Sequence, residues 1–546
     1  MPKEIEIEIK HPEFLALIVV LIIVFGLQLE VSLTSPIVFG DSGYHVRLGQ
    51  WISEHKEYPV WNPVERTKIF ATSYDKPPAW HFLEGSIFAL FGFHESLIKF
   101  LTPFITFLTG LLIYFLSKEL FNRRVAFIAA FLTVTIPSMV TYAVLFYDIT
   151  LFLLYLTFSC LTLILAVEKK SKKYWLLSIV FASLAFLTKR EGVVIFFIYG
   201  LTFLYELYKK RNFEVVKKYL VLTAIFLVIA GPWLARNYEL YGTPLCGLPK
   251  NPFFNEKCKV TFSYQPKTTE DFVGRTTPTG TELSLFKFGI TNYLNFAYGI
   301  IWLVPLLFIC GIFIFLKEKS QKNILLLLML IAWIPIFYVS TGRAECTIRY
   351  TLGVVPVISL IASSYLNEVC EFVRKYQKYL ELIIIVAVIL IGLFLNLIPK
   401  LKVMKAVKSF SPTFFEACDW VKEHPEKVPE NATLATVWDH RTIYNCQRNA
   451  IGYANLPDSR DIILSNNLTL VLGRLKEEGI THLFIQKFSI DQKPYREKYP
   501  VSFVQFLEQN PKAFIKIYEN GPSLQDCLNR GYCDGNIIYE INYTAV

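Results

Sequence analysis

The chain has 546 residues, 53% hydrophobic and only 18% charged, with a formal net charge of +10. A water-soluble protein carries charge on about a quarter of its residues, so this composition excludes an ordinary soluble enzyme. The basic excess does not signal nucleic acid either, because the clustered Lys and Arg sit in short loops between apolar runs, the pattern of a membrane protein's cytoplasmic side.

The first apolar segment covers residues 14–29. Glu4, Glu6 and Glu8 precede it in place of a basic cluster, and no small-residue cleavage site follows. It reads as a retained first helix rather than a signal peptide. Eleven apolar segments can be counted in all, centred near residues 22, 106, 133, 158, 181, 199, 227, 302, 331, 358 and 389. Runs of this kind predict transmembrane helices.

Every second loop is basic: Lys118/Arg123/Arg124, Lys169/Lys170/Lys172/Lys173, Lys209/Lys210/Arg211/Lys217/Lys218, Lys317/Lys319/Lys322 and Arg374/Lys375/Lys378. Short basic loops belong in the cytoplasm. The N-terminus is then cytoplasmic. Loops 31–95, 145–148, 189–191, 237–289 and 341–349 face out, and the odd helix count sends residues 400–546 out as well. Residues 79–93 are apolar but short for a span and read as a helix lying at the interface or packed between spans. Residues 44–55 read the same way, with Tyr44, Leu48, Trp51, Ile52 and His55 on one helical face.

Beyond residue 400 the composition changes. Helices are predicted over 412–424 and 467–478, and strands over 433–437, 482–486, 513–518 and 537–543, which reads as a small α/β domain. Three Asn-x-Thr sequons, at Asn431, Asn467 and Asn542, fall within it. The expected division is a transmembrane domain over residues 1–399, with the site on loop 31–95, and an extracytoplasmic α/β domain over 400–546. Cys160 and Cys310 lie in apolar runs as packing residues. Cys246 with Cys258, and Cys527 with Cys533, are close enough in sequence to pair in an oxidising compartment.

Charges gather at the outer ends of the helices: Asp41, Asp75, Lys76, Asp148, Lys189, Arg190, Glu191, Arg343 and Arg349. A transporter places ionisable groups near the bilayer midplane. Acids and bases at one interface suit an enzyme whose substrate is a lipid with a charged head group. Structural readings stand beside this one. Asp41, Asp75 and Asp148 each precede a helix and suit an N-cap. Lys189, Arg190 and Arg349 suit interface anchors, and the tryptophans suit an aromatic belt.

Five places, in order, carry a resemblance. An acid in the first outer loop precedes an aromatic-containing helix (Asp41, Tyr44). An acid-Lys-Pro-Pro turn leads to Trp (Asp75-Lys76-Pro77-Pro78-Ala79-Trp80). Tyr147-Asp148 follows the third span. A Lys-x-x-Gly (Lys189 to Gly192) lies between the fifth and sixth spans. A Pro-Trp-x-x-Arg-Asn-x-x-x-x-Gly-x-Pro (Pro232 to Pro244) leads into the large outer loop. Arg349-Tyr350 followed by Pro356 adds to the set. Over residues 30–370 the chain resembles the polyprenyl-phosphate-sugar-dependent glycosyltransferases of the GT-C fold. It is most similar to the branch with protein O-mannosyltransferases and the lipid A aminoarabinose transferase.

The resemblance implies a multi-span α-helical cell-membrane glycosyltransferase with about eleven transmembrane helices. Its donor would be a polyprenyl (dolichyl-type) phosphate sugar, and its acceptor a hydroxyl or amine of a protein, lipid or glycan. It implies inverting transfer with Asp41 as general base and Asp148 as a second catalytic acid. Asp75, Lys76, Tyr44, His81, Lys189, Arg190, Arg349 and Tyr350 would bind substrate. Asp75 and Asp148 are the candidate ligands of a divalent cation. Two departures stand out. Ser42 follows Asp41 where the family often has a second acid. No Trp-Trp-Asp-Tyr-Gly occurs, which argues against an oligosaccharyltransferase catalytic subunit. The competing readings are another transfer of a lipid-linked group, and a lipid or solute transporter or flippase with an outer ligand-binding domain.

Overall fold

The computed structural model describes residues 11–34, 36–37, 42–59, 76–245, 303–318, 320–336, 349–350, 352–406, 412–437, 439–452, 459–487, 490–491, 499–523, 526–527 and 534–545. The first part is helical. Helix α1 (Pro12–Thr34) is followed by α2 (Ser42–His55), α3 (Ala79–Phe91), α4 (Glu95–Leu120), α5 (Arg123–Thr135), α6 (Pro137–Ala143), α7 (Ile149–Glu168) and α8 (Lys172–Phe186). A 3-10 turn, Arg190–Val193, leads to α9 (Val194–Lys210) and α10 (Phe213–Tyr241). Next come α11 (Leu303–Lys317), α12 (Gln321–Ala332) and α13 (Val355–Arg374). Helix α14 (Lys378–Leu390) runs through a π-helical stretch, Ile391–Leu397, into α15 (Ile398–Ala406).

Among the described residues six helices are long and apolar enough to cross a membrane, or seven if the bent pair α5–α6 forms one span. The bend, 61°, falls where Pro137 interrupts the helix, because proline removes a backbone donor and clashes with the preceding turn. The expected count of eleven is not reached on this measure. The apolar segment near 181 forms a helix of 15 residues, shorter than the roughly 20 needed to cross the hydrocarbon, and the segment near 302 is described only from Leu303.

The five basic loops meet at one end of the bundle. Lys169 pairs with Glu119, Lys322 donates to the Leu120 carbonyl at 2.8 Å, and Lys209 donates to Gln321 at 3.2 Å. Arg124 pairs with Glu381 and reaches Asn367. The 26 residues of α4, roughly 39 Å at helical rise, separate this basic end from Glu95 at the other.

The C-terminal elements are α16 (Pro412–Glu423), β1 (Thr433–Thr436), α17 (Asp439–Cys446), β2 (Asn449–Gly452), α18 (Ser459–Leu464), α19 (Leu468–Glu477), β3 (His482–Gln486), β4 (Ile490–Asp491), β5 (Tyr499–Pro500), α20 (Val501–Gln509), β6 (Phe514–Asn520) and β7 (Asn536–Ile541). Five strands form a mixed sheet in the order β2-β1-β3-β7-β6. The β2-β1-β3 part is parallel and the β3-β7-β6 part antiparallel. Side chains alternate across a strand. Ala435, Leu483, Ile485, Ile537 and Tyr539 accordingly join the core under α19 and α20. Leu434, Phe484 and Ile538 join a second core with Phe414, Ala417 and Val421 of α16 and with Tyr44, Leu48 and Ile52 of α2. One face of the sheet therefore shares its core with a helix of the membrane part.

The described disulfide is Cys418–Cys446, which sequence spacing did not suggest. Cys246, Cys258 and Cys533 lie outside the described residues, so the expected pairs are not seen there. Cys527 is disulfide-bonded to a partner outside the described residues. Cys160 and Cys310 are free, as is the buried Cys370.

Candidate active site

Two helices between the first spans carry much of the candidate site. Helix α2 buries Tyr44, His45, Leu48 and Ile52, and α3 buries Trp80, His81, Glu84 and Phe88. These spacings of three and four put each set on one helical face. The two helices approach closely because Gly49 has no side chain: a Cβ there would lie 2.6 Å from the Glu84 Cβ. Glu84 is sealed between them, fully buried.

The Lys76-Pro77-Pro78 turn starts α3. The prolines offer no backbone N–H. The first free donor, Ala79 N–H, leaves the helix and donates to the Leu187 carbonyl at 2.8 Å. This bond ties the turn to the loop that carries Lys189. There the 3-10 turn packs onto the end of α8 through Gly192. A Cβ at Gly192 would lie 2.5 Å from the Phe186 Cα, so the Lys-x-x-Gly pattern is a backbone close approach.

The Tyr147-Asp148 loop is fixed in two ways. Ser42 donates its hydroxyl to the Leu145 carbonyl, which accounts for a serine after Asp41 as a structural tie. Phe146 adopts a left-handed backbone, φ +58°, which costs a non-glycine residue about 1–3 kcal/mol. Packing against Ile37, Val46, Phe88 and Ile98 offsets it. Asp148 stands at the N-cap position of α7 yet makes no capping hydrogen bond with its side chain. It is 4% exposed, and its Oδ1 accepts no hydrogen bond from the described residues.

These loops converge. The His45 Nδ1 and His81 Nε2 lie 2.9 Å apart, with the rings nearly parallel. Tyr44 flanks both imidazoles, its ring centroid 4.7 Å from His45 and 5.8 Å from His81. The Lys76 ammonium lies 5.4 Å from the Tyr44 ring. Tyr147 sits 5.9 Å from His45 on one side, and the Arg349 guanidinium lies 4.9 Å from the Tyr147 ring. Next to Arg349, Tyr350 receives Lys189, whose ammonium is 5.3 Å from its ring and 2.8 Å from Glu191 Oε2. Arg190 opens the 3-10 turn, half-buried.

The local field acts on two groups outside the spans. Burial pushes the His81 imidazole well below its usual pKa; His45 and Lys76 add to this and Asp148 opposes it. Burial, reinforced by the Asp148 charge, pushes the Glu84 carboxyl well above the usual range. The Trp80 indole lies near enough to oppose this, but neither its N–H nor the Glu84 oxygens complete a hydrogen bond. Both shifts favour the uncharged forms, a neutral imidazole and a protonated carboxyl.

The Pro232 to Pro244 pattern supports this mouth. Arg236 lies 4.6 Å from the Trp233 ring and 5.1 Å from the Tyr58 ring, and donates to the Pro59 carbonyl at 2.8 Å. Tyr58 in turn donates to the Lys76 carbonyl at 2.9 Å.

Of the residues singled out in the sequence, the structure brings together Tyr44, Lys76, His81, Asp148, Lys189, Arg349 and Tyr350. Asp41 and Asp75 lie outside the described residues. Sequence reasoning missed Glu84 and Tyr58. The available signal for Glu84 was an acid inside an otherwise apolar helix, three residues after His81.

Residues 75–235 match the family described as dolichyl-phosphate-mannose-protein mannosyltransferase. The comparison with curated proteins returned no match. Among solved structures the chain is similar to the oligosaccharyltransferase of Archaeoglobus fulgidus in the apo form. The TM-score is 0.65 at 15% identity, covering 94% of this chain and 81% of that one. The Archaeoglobus fulgidus oligosaccharyltransferase AglB with an inhibitory peptide and a dolichol-phosphate gives 0.58 at 16%, covering 86% and 69%. ArnT from Cupriavidus metallidurans bound to undecaprenyl phosphate gives 0.60 at 12%, covering 96% and 97%. At these identities the likeness establishes the fold. The likeness gives the chain the GT-C fold of multi-pass membrane glycosyltransferases, and the family match covers residues 75–235 of it.

Proposed function

We propose that the chain transfers a sugar from a polyprenyl phosphate of the dolichyl type to a hydroxyl or amine on the outer face of the membrane, with inversion. One observation carries this reading. Asp148, buried and not used as a helix cap, acts on His81 with a sign opposite to that of Lys76, and the cations Lys76, Arg349 and Lys189 lie against the rings of Tyr44, Tyr147 and Tyr350. A lipid phosphate leaving the anomeric carbon gains negative charge. Fixed cations in a partly desolvated site stabilise that charge more than water does.

An acceptor hydroxyl must lose its proton as it attacks, and a positioned carboxylate takes it. Asp41 is assigned as that base and Asp148 as the acid that orients the acceptor. Tyr44, Asp75, Lys76, His81, Lys189, Arg190, Arg349 and Tyr350 are assigned to donor and acceptor binding. Attack and departure of the phosphate in one displacement give inversion. Asp75 and Asp148 remain the proposed ligands for a divalent cation. Among the described residues no three His, Cys, Asp or Glu side chains gather as a metal site.

Eleven spans, a division near residue 400, a cytoplasmic N-terminus and an outward C-terminal sheet complete the proposal. Clustering of the five basic loops at one end supports the orientation, as does a disulfide in the C-terminal part. The test incubates membranes with several radiolabelled polyprenyl-phosphate sugars and asks which label moves, and onto what. Asp41→Asn is expected to abolish transfer with expression and membrane insertion intact. Full activity in that variant removes Asp41 as the base. Transfer from no labelled donor by the wild type removes the function.

A further inference from the structure

The C-terminal sheet carries a helix that does not serve the sheet alone. Helix α17 has eight residues, too few to be stable by themselves. It is held at both ends. Asp439 Oδ2 accepts from the Gly452 N–H at 3.2 Å, and Cys446 is bonded to Cys418 on α16. Between these anchors, three consecutive residues reach three different parts of the membrane region. Ile443 joins the apolar core that contains Tyr44, Leu48 and Ile52 of α2. The Tyr444 hydroxyl donates to Glu95 Oε1 at 2.5 Å, at the start of α4, and Glu95 also pairs with Lys99 at 2.9 Å. The Asn445 amide donates to the Ile37 carbonyl at 3.2 Å, in the segment that enters the first outer loop.

We propose that α17 is a positioning element of the transfer site: Tyr444 and Asn445 hold the entry to the first outer loop while Ile443 backs α2, and the Cys418–Cys446 disulfide locks α17 in place. The inference rests on the proposed transfer only for its activity arm. Helix α2 brings Tyr44 and His45 into the site from one face, and α17 packs against it. An element that short transmits position only if its own ends are fixed, and the disulfide fixes one end at a buried point: Cys418 and Cys446 are 1% and 0% exposed. Three kinds of contact, apolar, hydrogen-bonded and covalent, converge on one turn of helix. The sheet has no need of the bonds to Glu95 and Ile37 for its own stability.

The test is hydrogen exchange on the full chain in lipid nanodiscs, comparing wild type with Asn445→Ala, Tyr444→Phe and the double variant Cys418→Ala/Cys446→Ala. Peptides covering Ser42–His55 are expected to exchange at least about tenfold faster in Asn445→Ala and in the double variant, one factor of ten being about 1.4 kcal/mol of opening free energy. Peptides from Ile149–Glu168 and from strand His482–Gln486 are expected to be unchanged. Unchanged exchange in α2 while the strand stays protected overturns the proposal. If the double variant loses protection everywhere, Tyr444→Phe, which removes one hydroxyl, decides by the same criterion. In the activity arm these variants are expected to lose kcat about tenfold with little change in donor KM. A purely structural role would reduce the active fraction without altering how the remaining enzyme exchanges at α2. Exchange is read whether or not a sugar moves. A wild type that transfers nothing therefore refutes the function, while the α2 result still decides the positioning.

Discussion

Asp148→Asn separates a site role from a capping role. If Asp148 were an N-cap, Asn would serve as well and Ala would cost about 0.5–2 kcal/mol. The side chain makes no capping bond, so neither substitution is expected to destabilise through the helix. The carboxylate is 4% exposed, its Oδ1 is unsatisfied among the described residues, and its charge disfavours the ionised form of buried Glu84. Asn keeps the shape and removes the charge. Melting in detergent is therefore expected to stay level or rise, a gain of about 1 kcal/mol appearing as roughly 1 °C in a chain of this length. Transfer is expected to fall by about 10²–10⁴, the usual worth of a positioned acid or base, which is about 3–5 kcal/mol of barrier. The paired assays are thermal melting and initial rates with a labelled polyprenyl-phosphate sugar on the same preparation. A variant that melts several degrees lower and keeps its rate refutes the reasoning, because Asp148 would then serve structure and not reaction.

Glu84→Gln is expected to raise the melting temperature at pH 7–8. The folded pKa of Glu84 is raised, so its carboxyl costs stability as pH climbs above the unfolded value of about 4.3, and a neutral isostere removes that cost. Melting of both proteins from pH 5 to 8 checks this, and parallel curves refute it. His81 has the opposite pH sense. Its folded pKa lies below the unfolded value of about 6.5, so its stability is complete above that pH and falls as pH drops toward the folded pKa. His81→Gln is expected to flatten the acid limb below about pH 6.5, read from the same melts. Gly192→Ala puts a Cβ 2.5 Å from the Phe186 backbone, an overpacking worth about 1–3 kcal/mol, and is expected to raise donor KM by shifting Lys189. Gly200→Ala, with nothing within 4 Å, is its control and is expected to leave both stability and KM intact.

What could be read from the sequence follows the range of the interactions. The Lys-Pro-Pro turn, the helix after Asp41 and the Lys-x-x-Gly turn are local features, and the structure has each of them. The basic loops were legible because charge asymmetry is written residue by residue, and their contacts meet at one end. Strands β1, β3, β6 and β7 were found because each lies within a stretch of at least five residues rich in β-branched, aromatic and other apolar side chains. Strands β2, β4 and β5 have two to four residues, too short for a period to declare itself. Glu84 was missed because its burial comes from Gly49 on another helix. Cys418–Cys446 was missed because a separation of 28 residues gives no hint without the fold that closes it.

The capping alternative, the sharpest rival to a site at the outer mouth, now divides by residue. It weakens at Asp148, where the cap position is filled but the cap bond is not made. The neighbouring loop supplies a reason for the difference. Phe146 accepts a left-handed backbone, and Ser42 spends its hydroxyl on the Leu145 carbonyl, just before Asp148. A loop needed only to begin a helix would have no use for that strain, since an extended approach caps as well. The strain persists because Ile37, Val46, Phe88 and Ile98 hold Phe146, drawing on the segment before α2, on α2 itself, on α3 and on α4. The same elements that deliver Tyr44, His45 and His81 thus determine where Asp148 stands. The chemistry belongs to the arrangement of α2, α3 and this loop together, so a substitution at Phe146 that relaxes the turn, Phe146→Gly, is expected to lower transfer without touching any group that contacts substrate. Retained full activity in a folded Phe146→Gly protein would separate the loop from the site.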